Sequence, residues 1–145
     1  MIGLSNTSFF RFGGNITINP DDNKRSGGDM MAASTPQEQE YGLIFWNCTI
    51  TGDPGVKDVW LGRPWREYAH IVFVHSEMEE LIHPEGWNNW GSEVKEKTAR
   101  YVEIGNTGPG AATEGRVAWS KQLPESESVL YTKEKVLAGE DGWNP

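Results

Sequence analysis

The sequence predicts an all-β protein, a right-handed parallel β-helix closed by a short C-terminal helical segment. Three observations predict it. Short apolar runs rich in Ile, Val, Phe, Tyr, Trp and Thr recur along the chain, each bounded by Gly, Pro, Asn or Asp. That is the composition of pleated, half-buried strands. No stretch before residue 123 keeps a helical period for more than two turns. Finally, Asn15-Ile16-Thr17-Ile18 returns as Asn47-Cys48-Thr49-Ile50, 32 residues later. Self-similarity at about 20–50 residues, with one strand unit per repeat, marks a solenoid.

The strand regions in chain order are 9–19, 41–51, 70–83, 99–105 and 116–119. The first two share the Asn-x-Thr-Ile core. Ile71-Val72-Phe73-Val74 and Tyr101-Val102-Glu103-Ile104 supply later rungs at similar spacing. Each turn of such a coil stacks like residues into ladders; a β-sandwich with chance echoes is the competing architecture. The tail differs. Pro124-Glu125-Ser126 opens a helical stretch, because Pro and acidic residues suit a first turn. Val129, Leu130, Val136 and Leu137 give it an apolar face, Thr132 starts a second short helix, and Gly139 is a natural stop. The expectation is one domain over 1–145, with rungs over 1–122 and a helical tail over 123–145 packed across the outside of the coil.

Composition narrows the function. Counting Gly and leaving out Tyr, the apolar share is about 46%, inside the range of about 45–50% for globular chains. Thirteen basic against 21 acidic residues leave a net charge of −8. That argues against nucleic acid, whose affinity comes largely from Lys and Arg on phosphates, and against an anionic membrane surface. No apolar run approaches the ~18 residues of a membrane span, and Met1-Ile2-Gly3-Leu4 shows no signal peptide. A single Cys48 excludes an intrachain disulfide. Seven Trp are far more than a core of this size needs.

Several motifs have plain structural readings. His70 and His75 are five apart and face opposite sides of a strand; with His83 they are expected as surface or turn residues rather than metal ligands. Asn6, Asn15 and Asn47 fit the glycosylation acceptor pattern, but the last two sit in the repeat and read as a rung ladder. Glu77, Glu79, Glu80 and Glu85 read as a solvated edge. Trp60-Leu61-Gly62-Arg63-Pro64-Trp65-Arg66-Glu67-Tyr68 resists such a reading. Gly and Pro constrain the backbone on both sides of Arg63, so its guanidinium is aimed. Trp65 falls on the same face of an extended chain. A fixed Arg beside an aromatic plate suits a substrate with both carboxylates and sugar-ring faces. A structural Arg/Trp turn is the alternative.

Leu61-Gly62-Arg63-Pro64-Trp65 resembles the signature of the pectin methylesterases, also called pectinesterases (carbohydrate esterase family 8). The resemblance continues through Ala32-Ala33-Ser34-Thr35-Pro36-Gln37, Phe45-Trp46-Asn47-Cys48-Thr49-Ile50, Gly86-Trp87-Asn88-Asn89-Trp90 and Glu103-Ile104-Gly105-Asn106-Thr107-Gly108-Pro109-Gly110. It ends in Tyr131-Thr132 with Val136-Leu137, and Ala-Ala-Ser-Thr-Pro-Gln has a bacterial look. It implies a pectin lyase-like β-helix that hydrolyses galacturonate methyl esters in pectin to carboxylate and methanol, without metal or cofactor, in a secreted or periplasmic setting. It implies two Asp, one nucleophile and one acid/base, with glutamine amides holding the oxyanion. An Arg that hydrogen-bonds the nucleophile maps to Arg63, and the aromatic floor of the sugar site to Trp65. Tyr68 and Trp90 match substrate-contacting positions; Trp87 lines the cleft or packs.

The two Asp motifs of that family, Gln-Asp-Thr-Leu and Asp-Phe-Ile-Phe-Gly, do not occur. By spacing, the nucleophile falls at Ile2 or, if Phe9-Phe10-Arg11-Phe12-Gly13 is a worn second motif, at Phe9. The chain therefore resembles the C-terminal half of a pectinesterase, inactive alone, with methylated polygalacturonate as its partner. A non-catalytic pectin-binding module and a truncated gene product are the rivals; a polyuronate lyase is disfavoured because no Asp cluster for calcium lies near Arg63. Of the remaining Trp, Trp60 is placed beside the cleft, and Trp46, Trp119 and Trp143 are assigned to packing.

Overall fold

A computed structural model describes residues 8–19 and 28–138. Ten strands form three parallel sheets. β1 (Phe9–Phe12), β4 (Leu43–Trp46), β7 (His70–Val74), β9 (Arg100–Ile104) and β10 (Lys121–Gln122) make the first. β2 (Asn15–Ile18), β5 (Thr49–Gly52) and β8 (Glu77–Met78) make the second, and β3 (Asp29–Ala33) with β6 (Trp60–Pro64) the third. The chain visits the three sheets in the same cycle, so every strand pairs in parallel with one from a neighbouring turn. That is a three-sided parallel β-helix.

The true register differs from the sequence echo. Ile16 stands opposite Ile50 and Thr17 opposite Thr51, an offset two residues longer than the Asn-x-Thr repeat indicates. The Asn belongs to a corner instead. Gly13, Asn47, His75 and Gly105 occupy equivalent corners after β1, β4, β7 and β9, each with positive φ (76°, 49°, 47° and 60°). Their stacking is tied by N–H bonds from Gly13 to Trp46 O, Asn47 to Val74 O and His75 to Ile104 O. Gly and Asn tolerate this left-handed conformation readily. Asn47 is thus selected by backbone shape rather than as a ladder in register with Asn15.

Alternation explains the apolar runs. Leu43, Phe45, Ile71, Phe73 and Tyr101 point into the coil, where Phe45 and Phe73 stack at 5.0 Å. Ile44, Val72, Val74, Val102 and Ile104 face outward, yet they are buried. The C-terminal segment covers them: a 3-10 helix over Glu125–Tyr131 and α2 (Lys133–Leu137) pack there, with Val136 3% exposed. α1 (Glu93–Glu96) is the other α-helix among the described residues. Trp46 Nε1 donates to Tyr131 O at 2.7 Å and Tyr41 OH to Leu130 O at 2.8 Å. A strand buried on both faces reads as an unbroken apolar run, as β7 does.

Two expectations need correction. Residues 116–119 are not a strand but turns, because the Arg116 side chain is drawn inward to a buried carboxylate. His70 is not a surface residue: it is 4% exposed, and its Nδ1 accepts the Gly42 N–H at 3.0 Å. Burial, then the neighbouring Arg100, lowers its pKa to about 3. His75 and His83 do sit at the surface, against Glu125 and stacked on Trp60. Cys48 is buried. Met1–Leu4, Asn6, Gly139 and Trp143 lie outside the described residues. Among the described residues no helix is long and apolar enough to cross a membrane.

Candidate functional site

β6 carries the motif. Leu61 is buried in the core, and a Cβ on Gly62 would come 2.8 Å from Ile71 Cδ1 and 3.3 Å from the Trp87 ring. Only Gly lets the strand pass this close. Pro64 is buried, and the Trp65 N–H is fixed to Ala33 O at 3.0 Å. Arg63, between these anchors, projects outward with its side chain 15% exposed.

The loop after Trp87 meets it from the other side. Trp90 N–H donates to Asn88 Oδ1 and Gly91 N–H to Asn89 Oδ1, both at 2.8 Å. Asn89 Nδ2 in turn donates to Glu96 Oε1 at 2.6 Å. These bonds hold Trp90 at φ 52°, a conformation a bulky side chain adopts only under constraint. The strain has a visible result. The Trp90 ring is 48% exposed, lies 5.4 Å from Trp65, which is 50% exposed, and covers the Arg63 guanidinium at 3.8 Å. Lys95 Nζ is 5.7 Å from the same ring and donates to Pro64 O and Trp65 O. An open indole plane thus holds a cation in place, with a second open indole beside it.

Arg63 has a partner that the sequence did not reveal. Its Nη1 is 3.4 Å from Asp29 Oδ2, on the neighbouring strand β3, and the Asp29 side chain is only 8% exposed. Burial raises the Asp29 pKa above the usual carboxylate value, against the opposing pull of Arg63 and a hydrogen bond from Asn88. Asp29 Oδ1 is buried without a hydrogen-bond partner, as is the hydroxyl of Tyr101. The signal for Asp29 was faint: an acidic residue at the head of an otherwise apolar strand. The Asn88-Asn89 pair before Trp90 was the signal for the locked turn.

The other expected site residues separate. Trp87 is 1% exposed, stacks on Tyr101 at 4.3 Å and donates Nε1 to Glu103 at 3.3 Å. It is a core residue and lines no cleft, because the coil interior claims its ring. Tyr68 is half-buried at the end of the turn, its carbonyl held by Arg100. No group of three or more His, Cys, Asp and Glu side chains stands together to hold a metal among the described residues. A cleft of about 550 Å³ lies elsewhere, lined by residues including Lys57, Glu80, Ile82, Pro109 and Arg116. It offers no exposed aromatic plate. The Arg63–Trp65–Trp90 corner remains the candidate.

A family model described as Pectinesterase matches residues 15–140. Putative pectinesterase 11 of Arabidopsis thaliana is 38% identical over 111 residues, 77% of this chain and 31% of that protein. Probable pectinesterase/pectinesterase inhibitor 17 of the same plant is 41% identical over 116 residues, 74% of this chain and 22% of its own. These plant relatives lend no support to a bacterial character. Among solved structures, the pectin methylesterase from carrot has a TM-score of 0.80 at 26% identity, covering 96% of this chain and 49% of that one. Pectin methylesterase PemA from Erwinia chrysanthemi has a TM-score of 0.71 at 22% identity, covering 99% and 51%, a likeness in fold. The chain spans about a third or less of these curated relatives and about half of these solved structures. The fold is the right-handed parallel β-helix of the pectin methylesterases, and the chain belongs to the pectinesterase family.

Proposed function

We propose that this chain is the C-terminal half of a pectinesterase β-helix and supplies the pectin-gripping side of the cleft. Pectinesterases hydrolyse methyl esters of pectin; the reading here assigns Arg63, Trp65 and Trp90 to binding and orienting the polysaccharide, with Tyr68 at the margin. One observation carries it: a guanidinium paired with a carboxylate and stacked on an exposed indole, which itself meets a second exposed indole. Indole faces pack on the apolar C–H side of sugar rings, and an aimed guanidinium reads the oxygen atoms at the ring's edge. In a complete enzyme Arg63 holds the nucleophilic carboxylate. Phe9, one of the two positions where spacing puts that group, packs its ring 5.8 Å from Phe45 and offers no nucleophile.

The purified 145 residues therefore bind oligogalacturonides, quenching or shifting Trp fluorescence, and release no methanol from pectin above a buffer blank. Methanol release would overturn the missing-nucleophile reading; absence of any fluorescence response would overturn the cleft itself. Binding without hydrolysis also fits a non-catalytic pectin-binding module, a reading favoured by the two exposed indoles. Restoration of activity on joining the chain to a pectinesterase N-terminal half separates the two. The family resemblance supports a secreted or periplasmic setting for the complete protein.

A further inference from the structure

A lone arginine in a uronate cleft binds free carboxylates best. Arg63 is not alone. Asp29 Oδ2 stands 3.4 Å from Nη1, and the Trp90 ring lies 3.8 Å from the guanidinium. Both charged side chains are largely withdrawn from solvent, at 15% and 8% exposure. Lys95, another cation near the Trp90 ring, is bonded to the carbonyls of Pro64 and Trp65. The pair carries no net charge when both groups are ionised, and Asp29 retains a buried Oδ1 with no hydrogen bond. A free galacturonate carboxylate reaching this guanidinium has to share it with a carboxylate already in place, and like charges this close repel strongly where water is scarce. A methyl ester meets no such penalty. It brings a carbonyl oxygen that can accept from the guanidinium and a methyl group that suits the indole faces.

We infer that Asp29 is a specificity-determining residue: by pairing with Arg63 beneath the Trp65–Trp90 plate, it makes this subsite select methyl-esterified galacturonate over the free acid. The inference rests on the cleft reading above, and it differs from a general effect of the protein's −8 charge. A net-charge effect fades with salt, whereas a contact between adjacent groups persists when the Debye length is only ~4 Å.

The test is Trp fluorescence titration at neutral pH with two hexagalacturonides, one fully methyl-esterified and one fully de-esterified, at low salt and at about 0.5 M NaCl. Wild type is expected to bind the ester about tenfold more tightly, at both salt concentrations, a ratio of about 1.4 kcal/mol. In Asp29→Asn, which keeps the side-chain shape, the preference disappears or reverses through tighter binding of the free acid. Glu114→Gln removes one exposed charge away from the site and leaves the preference intact. Equal affinity of wild type for both ligands, a preference lost in high salt, or one unchanged in Asp29→Asn would overturn the inference. A wild type that binds neither ligand overturns the cleft reading, and the inference with it. A thermal melt of each variant confirms that the comparison is made on folded protein.

Discussion

Arg116 and Arg63 each face one carboxylate across a short gap, and they share little else. Arg116 meets Glu103 through three contacts of 3.0–3.1 Å and gives its remaining donors to the carbonyls of Gly110, Pro84 and His83. Glu103 also accepts from Trp87 Nε1 and Gln122 Nε2. Both side chains are 3% exposed or less. Every lone pair has a donor, so this pair offsets its desolvation and ties the turns at His83, Pro84 and Gly110 to β9. Arg63 Nη1 and Asp29 Oδ2 stand 3.4 Å apart, and the other carboxylate oxygen is buried without a hydrogen bond. A saturated pair is architecture. An incompletely satisfied one, largely withdrawn from solvent beneath the exposed and strained Trp90, is a place prepared for something to bind.

The sharpest way to break this comparison is to remove one cation from each pair. Arg116→Ala leaves Glu103 buried and uncompensated, at a cost of about 3–5 kcal/mol. For a chain of this size that lowers the melting temperature by roughly 10 °C, read by circular dichroism. Arg63→Ala is expected to cost far less stability, because Asp29 keeps Asn88 as a donor and lies nearer solvent. Equal losses would mean that the site pair is structural too.

The second test addresses the strain. Trp90→Gly removes both the exposed indole and the side chain that resents a positive φ, so stability changes by no more than about 1 kcal/mol. Oligogalacturonide affinity is expected to fall by up to about tenfold, the scale of one lost aromatic stacking contact. Isothermal titration alongside a thermal melt measures both. A large loss of stability with binding retained would place Trp90 among the packing residues, with Trp87.

Much of the fold was legible because strands advertise themselves locally. The run from Ile71 to Val74 is apolar at every inner and outer position, and Gly13, Asn47 and Gly105 mark corners that need positive φ. Arg63 and Trp65 were legible for the same reason, since Gly62 and Pro64 constrain them from within the motif. Asp29 was not, because its meeting with Arg63 depends on the register between β3 and β6, set 31 residues apart by Ala32 facing Arg63. The Asn-x-Thr echo pointed to a different offset in the neighbouring sheet. Trp87 and Trp90, three residues apart in one Trp-rich segment, looked alike in sequence. Only the backbone turn at Asn88 and Asn89 sends one ring into the coil and the other out.

The smallest expected difference between wild type and a variant concerns acid, and it turns on two buried groups with opposite signs. His70 is neutral in the fold, with its pKa lowered to about 3 by burial and Arg100, and its Nδ1 must stay unprotonated to accept the Gly42 N–H. Between the unfolded value of 6.5 and about 3, the unfolded chain takes up a proton that the fold cannot. Stability therefore falls by up to about 1.4 kcal/mol per pH unit as the medium is acidified. Asp29 works the other way. Its folded pKa is raised by burial, so its contribution is fully present below the unfolded value of 3.8 and is lost as pH rises through the folded value. In wild type the two slopes partly cancel. Asp29→Asn leaves the His70 slope unopposed, so the variant should melt higher at neutral pH and lose stability more steeply on acidification. Thermal melts in parallel from neutral pH down to about pH 3 decide it. A lower melting temperature for the variant at neutral pH would show that Asp29 and Arg63 stabilise the fold as Glu103 and Arg116 do, and the contrast between the two pairs would fail.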